Sequence, residues 1–231
     1  MSEQKIFYEE NGALPAAVTA THMACALVTD HSVSMTRGDA IGKLNRALAA
    51  FKQQCAADPE LKKALDLAHV TFSTDVQVLQ EFAPIEQMTV HTLTADGNTS
   101  MGAALNVAAD MIEGRKAEYR TIGITYHRPW IFLITDGEPN DNYGPAFQRM
   151  KEMQAQNKLE IWAVGVPGYD RQTLLSLTPR VIELDDSLNF AGLFEWLSNS
   201  LSVRRDSNPG DAVRYENLPS GANVVPAEWG R

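Results

Sequence analysis

Apolar and polar positions along the chain fall into two alternating periods. Met23 to Asp30 is an apolar run of strand length, and it ends abruptly in the polar stretch Asp30-His31-Ser32-Val33-Ser34. Ile41, Leu44, Ala47, Leu48, Phe51 and Cys55 then recur at three- and four-residue steps, which predicts a helix from about Asp39 with one apolar stripe. Asp58-Pro59 is a helix start, because the Asp side chain can accept from free amides while Pro at the first position gives up no hydrogen bond. A short helix through Leu61 and Leu65 is expected there. His69 to Thr74 and Val76 to Phe82 are β-rich and almost contiguous, a spacing that fits only an antiparallel hairpin and places one of the pair at a sheet edge.

A long helical stripe follows from Thr99 through Met101, Leu105, Ala108 and Ile112 towards Tyr119. Trp130 to Thr135 is continuously apolar, the pattern of a central strand covered on both faces. Phe147, Met150 and Met153 mark another helix, Leu159 to Val166 another buried strand, and Asp170 can cap a helix through Leu174 and Leu177. Arg180 to Leu184 reads as a short strand, and Phe190, Leu193, Phe194, Leu197 and Leu201 stripe a last helix. Strands alternating with helices imply one α/β domain, a mostly parallel sheet with helices on both faces, over residues 21–203. Residues 1–20, with Pro15, read as an N-terminal arm. Residues 204–231 lose the periodicity and carry Pro209, Gly210, Pro219, Gly221 and Pro226; Val224, Val225 and Trp229 are apolar enough to pack on the domain or on a partner.

Composition narrows the function. With 231 residues and 44% hydrophobic content the chain can bury one large core. Its 29 acidic and 20 basic residues leave a net charge of −9, which argues against nucleic acid or an anionic membrane as the main partner. Cys25 and Cys55 have neither a disulfide framework nor metal-ligand spacing, and they read as core thiols of a reducing compartment. No run reaches about 18 apolar residues and the first residues contain no apolar signal core, so the expected location is cytoplasmic.

In open α/β sheets functional groups collect where loops leave the carboxyl ends of the strands. If the first strand and the Trp130–Thr135 strand are neighbours, Asp30, Ser32 and Ser34 open onto the same side as Asp136 and as the Gly97-Asn98-Thr99-Ser100-Met101-Gly102 loop. Asp30, Ser32, Ser34, Thr99 and Asp136 then form a hard-oxygen set suited to Mg²⁺, with Mn²⁺ also accommodated. Two carboxylates cancel a divalent charge and the hydroxyls add none. A cation held there keeps an open position for an anionic oxygen from outside, most naturally an Asp or Glu of another protein.

These motifs, in this order and separation, resemble the metal-ion-dependent adhesion site of the von Willebrand factor type A domain family. Arg115-Lys116 with Tyr119, Gly123-Ile124, Arg128 to Gly137, and Phe194-Glu195-Trp196-Leu197-Ser198 resemble its bacterial TerY-type branch. The resemblance covers about residues 20 to 202. It implies a Rossmann-like, doubly wound, mostly parallel six-stranded sheet with one antiparallel edge strand. It also implies Ser32, Ser34 and Thr99 as direct Mg²⁺ ligands, with Asp30 and Asp136 acting directly or through water. TerY-type proteins belong to tellurite-resistance and stress systems, alongside a Ser/Thr kinase and a PP2C-type phosphatase, and act as binding or scaffold modules rather than enzymes.

Two residues depart from the family pattern. His31 and Val33 stand where the family commonly has a small residue and Gly, so the first loop is expected to be stiffer, and β-branched Val33 resists positive φ. Asn98 replaces a common Gly but tolerates left-handed backbone. Glu138 and Asp141 read as solvated acids. Alternation points His31 away from the Asp30 and Ser32 side chains, towards a partner or solvent, and His22, His69, His91 and His127 show no ligand spacing and read as incidental. No dinucleotide, P-loop or hydrolase-elbow motif is present. The alternative is a Mg²⁺-dependent phosphohydrolase, for which Asp30 and His31 form the sole plausible nucleophile and base.

Overall fold

The structure is a computed structural model that describes residues 20–209, 215 and 217–226. Seven strands form a single sheet in the order β3-β2-β1-β4-β5-β6-β7: β1 Met23–Asp30, β2 Leu65–Phe72, β3 Val76–Pro84, β4 Trp130–Thr135, β5 Glu160–Gly165, β6 Val181–Leu184 and β7 Ala222–Val224. β1 lies between β2 and β4 and is parallel to both, and β4, β5 and β6 continue in parallel. Chain order reverses between β1 and β4, the place in such sheets where loops part and leave a crevice.

Strand alternation splits the core in two. Cys25 and Leu27 of β1, with Trp130, Phe132 and Ile134 of β4, face α1 (Ala40–Ala57) and α6 (Phe190–Arg205) through Leu44, Leu48, Phe51, Phe194 and Leu197. Ala26 and Val28, with Ile131 and Leu133, face α3 (Met101–Thr121), α4 (Gly144–Ala155) and α5 (Arg171–Leu177) through Leu105, Ile112, Met150 and Leu174. Each residue step reverses the side-chain direction, so one apolar run serves both layers. α2 (Pro59–Ala64) begins as its sequence requires: Asp58 Oδ1 accepts from the backbone N–H of Glu60 and of Leu61, at 2.9 and 3.0 Å.

Three expectations need correction. α2 ends at Ala64, and Leu65, the expected end of that helix, is the first residue of β2, which starts four residues before His69. The i to i+4 spacing of Leu61 and Leu65 imitated a helix stripe across the junction. The sheet has seven strands where six were expected, and both edges are antiparallel: β3 on β2, and β7 on β6. The segment without periodicity supplies β7, and of the two fates expected for its apolar residues Val225 takes packing on the domain, buried with its N–H donating to Val181 O at 2.9 Å, while Val224 is exposed. Tyr215 packs against Trp130 and Trp162, with ring centroids 5.4 and 5.5 Å away. Trp229 and the expected arm before residue 20 lie outside the described residues.

The histidines read as incidental are mostly structural. His22, His69 and His127 are buried. His22 Nδ1 lies 3.0 Å from Asp66 Oδ2, and His69 Nε2 lies 2.8 Å from Thr29 Oγ1. Burial pushes His69 down to about 4, with the nearby His91 acting in the same direction, so its ring is neutral in the core.

Candidate metal site

Parallel pairing of β1 with β4 places Thr29 beside Ile134, so Asp30 and Thr135 finish their strands side by side. Thr135 Oγ1 donates to Asp30 Oδ2 at 2.6 Å, and the Ser32 backbone N–H donates to Asp30 Oδ1 at 2.7 Å. Both oxygens of Asp30 are therefore engaged. Burial pushes this carboxyl up to about 6 against those two hydrogen bonds, and the charge of Asp136 adds to the rise.

From Asp30 the chain enters a 3-10 turn, Val33–Asp39. Ser32 Oγ and Ser34 Oγ stand 3.0 Å apart, and Ser34 Oγ donates to Asp136 Oδ1 at 2.6 Å. The other oxygen, Asp136 Oδ2, is buried without a hydrogen-bond partner. Burial raises the Asp136 carboxyl as well, opposed by the Ser34 hydrogen bond and the charge of Arg37. A buried carboxylate oxygen with no donor is costly, and it calls for a proton or a cation.

Thr99 arrives from the third loop. Its N–H donates to Asn140 Oδ1 at 3.0 Å, and the Asn140 N–H returns a bond to Thr99 O at 2.9 Å. A Cβ placed on Gly137 would stand 3.1 Å from Thr99 Oγ1 and 3.8 Å from Ser34 Oγ, so the bare glycine keeps open the space on which the hydroxyls border. The structure thus brings Asp30, Ser32, Ser34, Thr99 and Asp136 together at the carboxyl ends of β1 and β4. Among the described residues no group of three or more His, Cys, Asp or Glu side chains is placed to hold a metal ion. The donors here are hydroxyls with two carboxylates, a set that fits a hard divalent cation.

The surrounding loops are bonded to one another. Gly97, at φ 63°, takes the left-handed conformation that its lack of a side chain allows, and its carbonyl accepts from the Val33 N–H at 3.2 Å. Neither Val33 nor Asn98 has a positive φ, so the expected strain at Val33 does not arise; the residue is 61% exposed. His31 turns away from Asp30 as alternation required, yet it is buried rather than exposed: Nδ1 bonds Thr71 Oγ1 at 2.8 Å and Nε2 faces Asp96 at 3.6 Å. Burial lowers its pKa, against the pull of Asp96. Asp141, read as a solvated acid, accepts from the N–H groups of Gly102 and Ala103 at 3.2 and 2.8 Å and so caps α3 from outside that helix. Glu138 is exposed as expected. Asn140 and Asp141 are the contributors that sequence reasoning missed, since their partners lie about 40 residues away and leave no local signal.

Comparison with known proteins places these features in a wider group. The family model described as von Willebrand factor type A domain matches residues 26–195. No curated protein sequence gives a significant match. Among solved structures, the chain is similar to the pilus adhesin SpaC from Lactobacillus rhamnosus GG (TM-score 0.67, 12% identity, covering 80% of this chain and 31% of that one). It is similar to the vWF domain of the type V pili tip protein Mfa5 from Porphyromonas gingivalis (TM-score 0.59, 10% identity, covering 84% and 99%). It is also similar to proximal thread matrix protein 1 from the mussel byssus, in a structure with a zinc occupied MIDAS motif (TM-score 0.52, 16% identity, covering 78% and 46%). The chain therefore spans less than half the length of SpaC and of the byssus protein.

Proposed function

Because the chain belongs to the von Willebrand factor type A domain family, whose modules commonly mediate metal-dependent protein–protein interaction, we propose that it is a binding module that presents Mg²⁺ to an acidic side chain of a partner protein. Mn²⁺ suits the same donors. The observation that carries this reading is the buried, donor-less Oδ2 of Asp136 beside the hydroxyls of Ser34 and Thr99. In this reading Asp136, Ser32, Ser34 and Thr99 hold the cation, and Asp30, whose oxygens are taken by Ser32 N–H and Thr135 Oγ1, orients the first loop and acts through water. A bound cation supplies an electrophilic face for an incoming carboxylate; the chain supplies position and two neutralising charges.

Within the family, the TerY-type resemblance of Arg115-Lys116, Tyr119 and Arg128 to Gly137 is what supports a bacterial tellurite-resistance or stress setting, with a Ser/Thr kinase and a PP2C-type phosphatase as candidate partners. A cytoplasmic setting is supported by the two free, buried cysteines, with burial pushing the Cys55 thiol up to about 12. No helix among the described residues is long and apolar enough to cross a membrane. The phosphohydrolase alternative gains no support from its proposed pair, since His31 turns away from Asp30 and bonds Thr71.

The test is capture on the immobilised protein. Partner proteins are expected to bind in Mg²⁺, to elute with chelator, and to rebind when Mg²⁺ is restored. An identical elution profile from a Ser32→Ala/Asp136→Ala column would sink the reading.

A pH dependence follows from the carboxyl shifts. Folded Asp30 holds its proton to about pH 6, whereas an unfolded Asp releases it near pH 4. The metal-free fold is therefore favoured by the protonated form and loses that advantage as pH rises through about 6. A cation needs the carboxylate, so Mg²⁺ affinity should fall about tenfold per pH unit below about 6. Thermal melts at pH 5 and pH 7 check this: the upward shift produced by Mg²⁺ should be larger at pH 7, and an equal shift at both would contradict it.

A further inference from the structure

The rim of the candidate metal site carries opposite charges on its two flanks, exposed Asp96 next to His31 on the β2 side and exposed Arg37 on the β5 side. The β2 side also holds exposed, uncharged Val33, tied by its N–H to Gly97 O, in a loop that is itself bonded to Ser73 and Thr74 beyond β2. On the β5 side it is formed by Arg37. The Arg37 guanidinium lies against Gly168, in the turn that follows β5, where a Cβ on Gly168 would collide with Nη1; the carbonyl oxygen of Asp136 stands 3.7 Å from the same point. Gly168 has φ 108°, a backbone that side chains rarely adopt, so the slot receiving Arg37 is made by glycine twice over, in conformation and in space.

Arg37 makes no ion pair among the described residues, and it is exposed. Its backbone leads into Gly38 and Asp39, both at positive φ, a kink that directs α1 away and leaves the side chain lying across the sheet end. Asp30 and Asp136 together match the charge of a divalent cation, so Arg37 remains as an uncompensated positive charge beside the metal donors. A carboxylate on the cation has at most one oxygen left for it, whereas a guanidinium fork is satisfied by both oxygens of one carboxylate.

We propose that Arg37 is a specificity-determining residue that pairs with a second acidic side chain of the partner, so that the site recognises a doubly acidic segment. This rests on the reading that the first acid meets a metal held by the five-residue set. Neighbouring strands lie about 5 Å apart, and alternate residues of an extended segment lie roughly 7 Å apart on one side, so acids separated by one residue span the distance from the β1/β4 donors to the β5 turn. Exposed Asp96 on the β2 flank repels a second acid, so that acid lies on the Arg37 side of the metal donors.

The test uses the full chain in Mg²⁺ and blocked pentapeptides: one with a single Asp among Gly, one with two Asp separated by a Gly, and one with both replaced by Asn. Calorimetry is expected to give metal-dependent binding of the single-Asp peptide, about fivefold tighter binding of the double-Asp peptide, and none of the Asn peptide. Arg37→Met, compared at saturating Mg²⁺ because its charge also acts on Asp136, should cut the ratio of double-Asp to single-Asp affinity from about fivefold to about twofold, the ratio that two equivalent acids give by statistics. A fivefold gain that survives in Arg37→Met, or a gain of no more than about twofold in the wild type, overturns the proposal. A loss of single-Asp affinity in Arg37→Met equal to the double-Asp loss shows one carboxylate bridging metal and guanidinium, and also overturns it. If Mg²⁺ binds but no peptide does, the underlying binding-module reading fails and takes the proposal with it.

Discussion

Ser32→Ala/Asp136→Ala is expected to weaken divalent metal binding by more than about 100-fold, beyond what loss of an outer-sphere partner alone costs. Two of the five converging donors disappear, including the carboxylate whose Oδ2 is buried with nothing to accept from. The metal-free fold should not suffer. Asp136 is 1% exposed, its carboxyl is pushed up by burial, and its charge raises Asp30 in turn, so its removal relieves a desolvated charge rather than a stabilising one. Ser34 Oγ loses its acceptor at Asp136 Oδ1. Titration calorimetry with Mg²⁺, beside chelator-treated thermal melts, separates the two effects. Wild-type affinity in the double variant would show that the cation is held elsewhere; a large loss of metal-free stability would show that Asp136 is a structural acid.

The convergence of the five candidate residues was legible because its information is carried at strand ends. Asp30 and Asp136 each follow an apolar run that can only be a buried strand, and in this class of sheet that alone sends both to one edge. Thr99 is marked by the glycine before it and the helix after it. What the sequence left unread depends on which strands are neighbours. His31 has its bond to Thr71 because β1 and β2 pair in parallel with Asp30 opposite Phe72, a register that no local pattern states. Asp141 caps a helix that begins 40 residues earlier, and an acid after a strand looks the same whether it meets water or a helix terminus.

The outer parts of the sheet were read less well for a different reason. β7 is three residues long, with Asn223 and Val224 exposed, so it has no apolar period to detect; its order comes from pairing with β6 and from the burial of Val225. At the start of β2, Leu65-Asp66-Leu67-Ala68 places an acid inside a strand whose every residue is buried. A carboxylate at such a position argues against a strand unless something neutralises it. Arg115 and Tyr119, which in the sequence served only as marks of family resemblance, are what neutralise it.

Asp66→Ala is accordingly expected to destabilise the fold by about 3 kcal/mol, the order associated with removing one member of a buried ion pair. Asp66 Oδ2 receives the Tyr119 hydroxyl, lies 2.9 Å from Arg115 Nη2 and 3.0 Å from His22 Nδ1, and is itself 1% exposed. Burial alone would raise its pKa. The hydrogen bonds from His22 and Tyr119 and the charge of Arg115 outweigh that and hold the carboxyl below the usual range. A depressed carboxyl stabilises above its unfolded value near pH 4 and ceases to do so as pH falls through its folded value. Urea denaturation should therefore show the wild type losing stability below about pH 4 more steeply than Asp66→Ala, with Asp66→Asn intermediate at pH 7 because it keeps an acceptor without the charge. Arg115 also pairs with Glu118 at 2.7 Å, which keeps the expected cost at the lower end. Asp66 pairs with Ala24, at the opposite end of β1 from Asp30 and about 20 Å from the metal donors at roughly 3.3 Å per residue, so Mg²⁺ affinity of the folded variant should stay at the wild-type value. Loss of stability within about 1 kcal/mol of wild type would mean that the cluster is a tolerated polar inclusion, and that the α3 to β2 junction is held by the packing of Ile112 and its neighbours alone.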